Sequence, residues 1–131
     1  VFIETKDPKY IWQDRFYLDA DLTKFLYFGE YPELLHLYLP IELVDKWSQA
    51  EDQMQAVMET YNLKIFSVSY TEAAGWAFYT ANKLQINLGS DLSLEAFQKL
   101  SLTLKYIFEK NLTPSIIDLR YKDGAALNYG K

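Results

Sequence analysis

The sequence predicts an α+β domain: a largely antiparallel sheet with two main helices packed on one face. Three observations carry that prediction. Short aromatic-rich runs broken by Asp, Pro and Gly fill the first third of the chain. Two later stretches switch to apolar residues spaced three and four apart, the period of an amphipathic helix. Each of those stretches is followed by strand-like runs, giving the order strands, helix, three strands, helix, two strands.

The totals agree with one folded domain of 131 residues. Half of the residues are hydrophobic and 24% are charged, a balance that excludes wholesale disorder. Eleven tyrosines raise the aromatic share to 17%, which favours β structure and a contact-making surface. A net charge of −5 argues against nucleic acid as a partner, since phosphates are bound by Lys and Arg. The absence of Cys removes disulfides, thiolate catalysis and Cys-zinc sites. No run approaches the roughly 18 consecutive apolar residues of a membrane span. The opening "VFIETK" lacks Met and reads as strand, so the chain is expected to be a piece of something longer.

In order, Val1–Lys6, Tyr10–Gln13, Phe16–Asp19 and Lys24–Phe28 read as short strands joined by tight turns, and Leu34–Leu39 as another. Leu43, Val44, Trp47, Ala50, Met54, Val57, Met58 and Tyr61 then form one helical stripe, with Pro40 suited to the first turn and Asn62 to the end. "LKIFSVSYT" returns to strand composition with apolar residues in both alternating sets. "GWAFYTANKLQINLG" reads as a hairpin turning at Asn82-Lys83, with Leu84, Ile86 and Leu88 on one face and Gln85 and Asn87 on the other. The second helix carries Leu94, Phe97, Leu100, Leu104, Ile107 and Phe108, with Ser93 as N-cap and Pro114 beyond its end.

The closing stretch "SIIDLRYKDGAALNYGK" reads as a terminal hairpin with two candidate loops. A two-residue Asp123-Gly124 turn pairs Leu119 with Asn128 and mixes the faces. A three-residue Lys122-Asp123-Gly124 loop pairs Tyr121 with Ala125, Leu119 with Leu127 and Ile117 with Tyr129, all on one face. Register follows the buried face, so the second loop is expected, with Gly124 at a position needing positive φ. Ala125–Tyr129 is then the last strand.

Signals for catalysis are sparse. His36 has no second His and no Cys to complete a site, and a hydrolase would rest on it alone. Asp14, Asp19 and Asp21 lack the spacing of a Ca²⁺ loop and suit turns better. Glu51 and Asp52 read as a solvated helix face. Trp47 and Trp76 read as core, while Trp12 and surface Tyr leave open a glycan- or ligand-binding module. Asp118 and Arg120 share a strand face, where they can pair with each other or serve an interface.

Several of these segments together resemble the extracytoplasmic β domain of the bacterial cell-division proteins FtsQ and DivIB. "IIDLRYKDGAALNYG" is similar to that family's Asp-Leu-Arg-Tyr strand, Gly turn and closing strand, and "GWAFYTANKLQINLG" to its Trp-led hairpin. "LEAFQKLSLTLKYI", "YPELLH" and "ETKDPKYIW" resemble further family segments. Lys83 stands where the family commonly has Gly, and Tyr129 where some members have Trp. The resemblance implies a non-enzymatic division scaffold without cofactor. It implies a POTRA domain, a single membrane helix and a cytoplasmic tail upstream, and an extracytoplasmic location at the septum. The implied partners are FtsB and FtsL, membrane-anchored coiled-coil proteins, with septal peptidoglycan synthases further along. FtsB is held by strand addition at the C-terminal sheet edge. The implied contact residues are Arg120, Tyr121, Asp123, Gly124, Ala125, Ala126 and Tyr129, and Leu127 and Asn128 join them as the rest of the closing strand.

Overall fold

A computed structural model describes residues 8–27, 33–122 and 124–129. Among them run β1 (Tyr10–Trp12), β2 (Phe16–Leu18), β3 (Lys24–Leu26), β4 (Leu35–Tyr38), α1 (Val44–Glu59), β5 (Ile65–Thr71), β6 (Gly75–Thr80), β7 (Gln85–Gly89), α2 (Leu94–Glu109), β8 (Ile116–Asp118) and β9 (Ala126–Asn128). The strand expected over Val1–Lys6 and the end of the one over Lys24–Phe28 lie outside the described residues. The strands form one sheet in the order β3-β2-β1-β4-β5-β6-β7-β8-β9.

The α+β reading holds, and so does the mostly antiparallel sheet. Neighbours joined by tight turns or hairpin loops pair antiparallel, as β5 with β6 and β8 with β9 do. The parallel pairs arise where the chain must cross over: α1 carries it from β4 to β5, and α2 from β7 to β8. A third parallel pair, β1 with β4, joins the N-terminal meander to the rest. The two helices touch each other on one face of the sheet.

Both helices begin and end as their sequences dictate. Pro40 precedes a short 3-10 turn, Ile41–Leu43, that leads into α1. Ser93 caps α2, its Oγ accepting from Ala96 N–H at 3.1 Å. Asn62 and Asn111 follow the two helix ends with φ of +56° and +55°. In each case the next leucine N–H reaches back into the helix, Leu63 to Met58 O and Leu112 to Ile107 O. Asn tolerates this left-handed conformation, so the chain reverses without a glycine.

Trp47, Met54 and Met58 of α1 and Phe97, Leu100, Leu104 and Ile107 of α2 bury against Leu37, Val68, Phe78, Ile86 and Ile117 of the sheet. Leu94 and Phe108 depart from the expected stripe; they sit at the two ends of α2 and are 60% and 46% exposed. Phe108 instead stacks on Tyr61, with ring centroids 5.0 Å apart. In β5 the alternation breaks at an irregularity between Ile65 and Ser67. That break lets Ile65 and Val68 both enter the core while Phe66 turns outward, which accounts for the two apolar sets in "LKIFSVSYT".

The β6–β7 hairpin corrects the expected Asn82-Lys83 turn. Tyr79 pairs with Gln85 and Thr80 N–H donates to Leu84 O, so the loop is Ala81-Asn82-Lys83. Lys83 takes the third position with φ +70°, which explains why glycine would suit it. At the other end of this hairpin Gly75 has φ +79°, and a Cβ there would lie 2.4 Å from the Gly89 carbonyl.

These two left-handed positions predict opposite outcomes. Lys83→Gly relieves a conformation costing an L-residue about 1–2 kcal/mol, offset by greater freedom of the unfolded chain, for a net gain of about 0.5–1 kcal/mol. Gly75→Ala adds both strain and a backbone clash and costs more than about 2 kcal/mol. Urea denaturation midpoints check both; a Gly75→Ala protein as stable as the parent would remove the close-approach argument.

Candidate functional site

The closing strand occupies one end of the sheet. Among the described residues β9 pairs with β8 on one side and is last in the strand order, so its outer edge faces no other strand. Its main chain therefore offers donors and acceptors to an added strand.

The hairpin register differs from the expected one. Ile116 faces Asn128, Ile117 faces Leu127 and Asp118 faces Ala126. This is a shift of two residues from the Leu119–Leu127 pairing that a Lys122-Asp123-Gly124 loop requires. Leu127 still packs toward the core and Asp118 still shares a face with Ala126, because a two-residue slip preserves facing. What changes is the loop: Leu119, Arg120 and Tyr121 leave the β8–β9 ladder. Leu119 N–H donates to Asn87 O on β7 at 2.8 Å. The carbonyls of Leu119 and Tyr121 accept from Lys99 Nζ of α2. Asp118 Oδ1 accepts from the Arg120 backbone N–H at 3.1 Å, ending the strand locally.

Asp118 and Arg120 pair with each other. The guanidinium grips the carboxylate with two contacts, Nε to Oδ1 at 2.9 Å and one terminal nitrogen to Oδ2 at 2.7 Å. Asp118 is buried while the Arg120 side chain is 44% exposed. Hydrogen bonding from Arg120 holds the Asp118 carboxyl below the ordinary aspartate range against the opposing effect of burial, with help from Asn87.

Beside β9, the outward side of α2 presents Leu102, 69% exposed, and Tyr106, 54% exposed. With Thr103, Ala125 and Leu127 they line a largely apolar groove of about 250 Å³ along the sheet edge. Tyr121 and Tyr129 are also more than half exposed. The structure thus gathers Tyr121, Gly124, Ala125, Ala126, Leu127, Asn128 and Tyr129 at or near this edge, with Arg120 at its root. Asp123 lies outside the described residues.

Lys99, Leu102 and Tyr106 were not among the residues singled out from sequence. Leu102 and Tyr106 did carry a signal: they are four apart on α2 and interrupt its polar face.

The other polar residues have structural work. His36 lies beside Asp14 at 3.3 Å, and its ring stacks on Phe66 at 4.9 Å. Tyr38 donates to the same Asp14 oxygen at 2.8 Å, and burial followed by that bond pushes its hydroxyl up to about 12. Asp19 accepts from the backbone of Asp21 and Thr23, as a turn residue does. Glu51 corrects its reading as a solvated residue, for it reaches the sheet and accepts from the Tyr10 hydroxyl. Trp12 is tied down through Nε1 to Leu39 O at 2.7 Å, with Lys24 over its ring.

Residues 11–120 match the family model described as cell division protein FtsQ/DivIB, C-terminal. The chain is also 28% identical over 88 residues to the cell division protein FtsQ of Aliivibrio fischeri, an alignment covering 67% of this chain and 33% of that relative. The match therefore spans about a third of the relative's length. The family match ends at Arg120, before β9 begins.

Because the folded-state pKa of Asp118 is depressed, its pairing stabilises the fold above the ordinary aspartate range, and that contribution fades as pH falls through the lowered value. Arg120→Gln is expected to move the Asp118 titration back upward and to start the acid loss of stability at higher pH. Carboxyl ¹³C NMR of Asp118 and urea melts from roughly pH 2 to 6 read both effects. An unchanged Asp118 titration would refute the guanidinium as the cause.

Proposed function

Since the chain belongs to the FtsQ/DivIB C-terminal family and so has a role in cell division, we propose that it is a non-enzymatic scaffold whose closing strand recruits an FtsB/FtsL-type pair. The partner adds a strand to the outer edge of β9, and through that complex the domain helps regulate septal peptidoglycan synthesis. The whole protein is, in this proposal, a single-pass membrane protein with this domain on the extracytoplasmic side at the septum. No helix among the described residues is itself long and apolar enough to cross a membrane.

The observation that carries the proposal is the terminal place of β9 in the sheet order. An exposed edge is ordinarily blunted by charge, Pro, a bulge or shortness, and of these β9 has only its three-residue length. The stretch Ala125–Tyr129 contains no Lys, Glu or Pro. Strand addition takes its affinity from main-chain hydrogen bonds and its specificity from alternate side chains. The groove beside Leu102 and Tyr106 supplies such a side-chain site on the helix side of the edge. Apolar partner residues two apart would enter it, while Arg120, Tyr121 and Tyr129 flank the added strand. Asp123 joins this contact set on the strength of sequence alone.

Proline replacement tests the edge directly. Successive N–H groups of β9 alternate between β8 and the outside, so Ala126→Pro and Leu127→Pro remove one of each kind. The variant that loses the outward donor is expected to keep its circular dichroism and melting temperature while losing at least about tenfold in affinity for the FtsB-like protein of the same organism. Wild-type affinity in that folded variant defeats the edge model. Leu102→Glu provides an independent reading of the groove. It should leave stability within about 0.5 kcal/mol, as expected of an exposed site, and weaken binding by roughly tenfold. Unchanged affinity in that variant excludes the groove from the interface.

A further inference from the structure

We propose that Leu127 is the residue through which β9 takes up its partner. Its N–H and C=O are the main-chain pair of β9 turned outward, and its side chain lines the groove that receives the partner residue opposite it. The inference rests on the docking reading above and names the residue on which that docking turns.

In an extended strand the N–H and C=O of one residue point to the same side, and successive residues alternate. The bonds on the two sides of β8 therefore fix the direction of each residue of β9. In a parallel pair, one residue bonds the two that flank its partner. Asn87 lies opposite Asp118, and its carbonyl accepts from Leu119 N–H at 2.8 Å. Gln85 lies opposite Ile116, and its N–H donates to Ser115 O at 3.0 Å. Ile117, between these two contacts, thus turns its main chain to β7. Ile116 and Asp118 turn theirs to β9, where they meet Asn128 and Ala126.

The far end of β9 agrees. Ser115 stands one residue before β8 and sends its N–H and its Oγ to Asn128 O, at 2.8 and 3.1 Å. Asn128 therefore faces β8. With Ala126 and Asn128 both turned inward, the N–H and C=O of Leu127 point away from β8, where no strand lies among the described residues. Ile117 and Leu127 form a pair whose main chains point apart and whose side chains sit close. That geometry keeps Leu127 packed on the core while its backbone looks outward.

Backbone and side chain of Leu127 thus address the partner together. A residue added opposite Leu127 shares its face of the sheet. On that face Leu102, Thr103 and Tyr106 line the groove with Leu127. Partner residues opposite Ala126 and Asn128 fall on the other face, away from the helices. The segment that this edge selects has one large apolar side chain between two polar ones.

Amide hydrogen exchange read by NMR tests the assignment. In the free domain Leu127 N–H is expected to exchange at least about tenfold faster than those of Ala126 and Asn128. Saturation with the same FtsB-like protein should slow Leu127 exchange by at least about tenfold. A backbone ester in place of the Leu127 amide keeps the side chain and removes the donor, and should weaken binding about threefold to tenfold. Leu127 exchange as slow as that of its neighbours in the free domain overturns the outward assignment. Unchanged Leu127 exchange in the complex, or full affinity in the ester, overturns its role in pairing. Failure of the unaltered domain to bind overturns the docking reading instead, while exchange in the free domain still decides which way Leu127 points.

Discussion

A single row of side chains runs across the sheet beneath the helices, from Trp12 through Leu37, Val68, Phe78 and Ile86 to Ile117 and Leu127. Each member pairs with the next on the neighbouring strand, and most are sealed from water by α1 and α2. This row is the constraint on which the other features depend. A one-residue slip anywhere along it would send a strand's apolar set to the opposite face, so burial locks each strand in turn. Leu127 is the last member, and through it the closing strand is tied to the same core as the central strands. Under the strand-addition proposal, that tie lowers the cost of ordering the edge for a partner.

The polar groups around that edge reinforce the arrangement. Asp118 is buried and would be costly as an isolated charge, yet Arg120 holds both of its oxygens. Arg120 braces the strand root and remains partly open to solvent. Lys99 reaches from α2 to the same short segment. The core thus determines which face of β9 is buried, and the segment just beyond β8 is held by its own set of bonds to Asn87, Lys99 and Asp118. The strand-addition model proposed above asks for little beyond this: an edge tied to the core and an apolar groove beside it.

Much of this was legible before any coordinates. The three-and-four spacing located both helices, and Ser93, Pro40 and Asn62 marked their boundaries because caps obey local chemistry. The alternation of Leu84, Ile86 and Leu88 with Gln85 and Asn87 assigned the faces of β7 correctly. Local reasoning failed where the decisive contact came from afar. Glu51 looked solvated on its helix, but Tyr10 of β1 lies within reach of it. Phe66 belonged to an apolar set that an irregularity in the β5–β6 pairing turned outward. Lys83 marked a turn whose length only the paired strands could set.

The closing hairpin separates the two kinds of information most sharply. Alternation within "IIDLRY" and "AALNY" was enough to decide which side chains face the core, since that depends on a period of two read along one strand. It was not enough to decide the register, because registers two residues apart share that facing. The folded sheet shows which one is taken: Ile117 faces Leu127, while Leu119 N–H goes to Asn87 O on β7 and the Arg120 N–H goes to Asp118 Oδ1. Facing is a local property of the chain, whereas register is a relation between two strands and exists only once β8 has paired with β7 and β9.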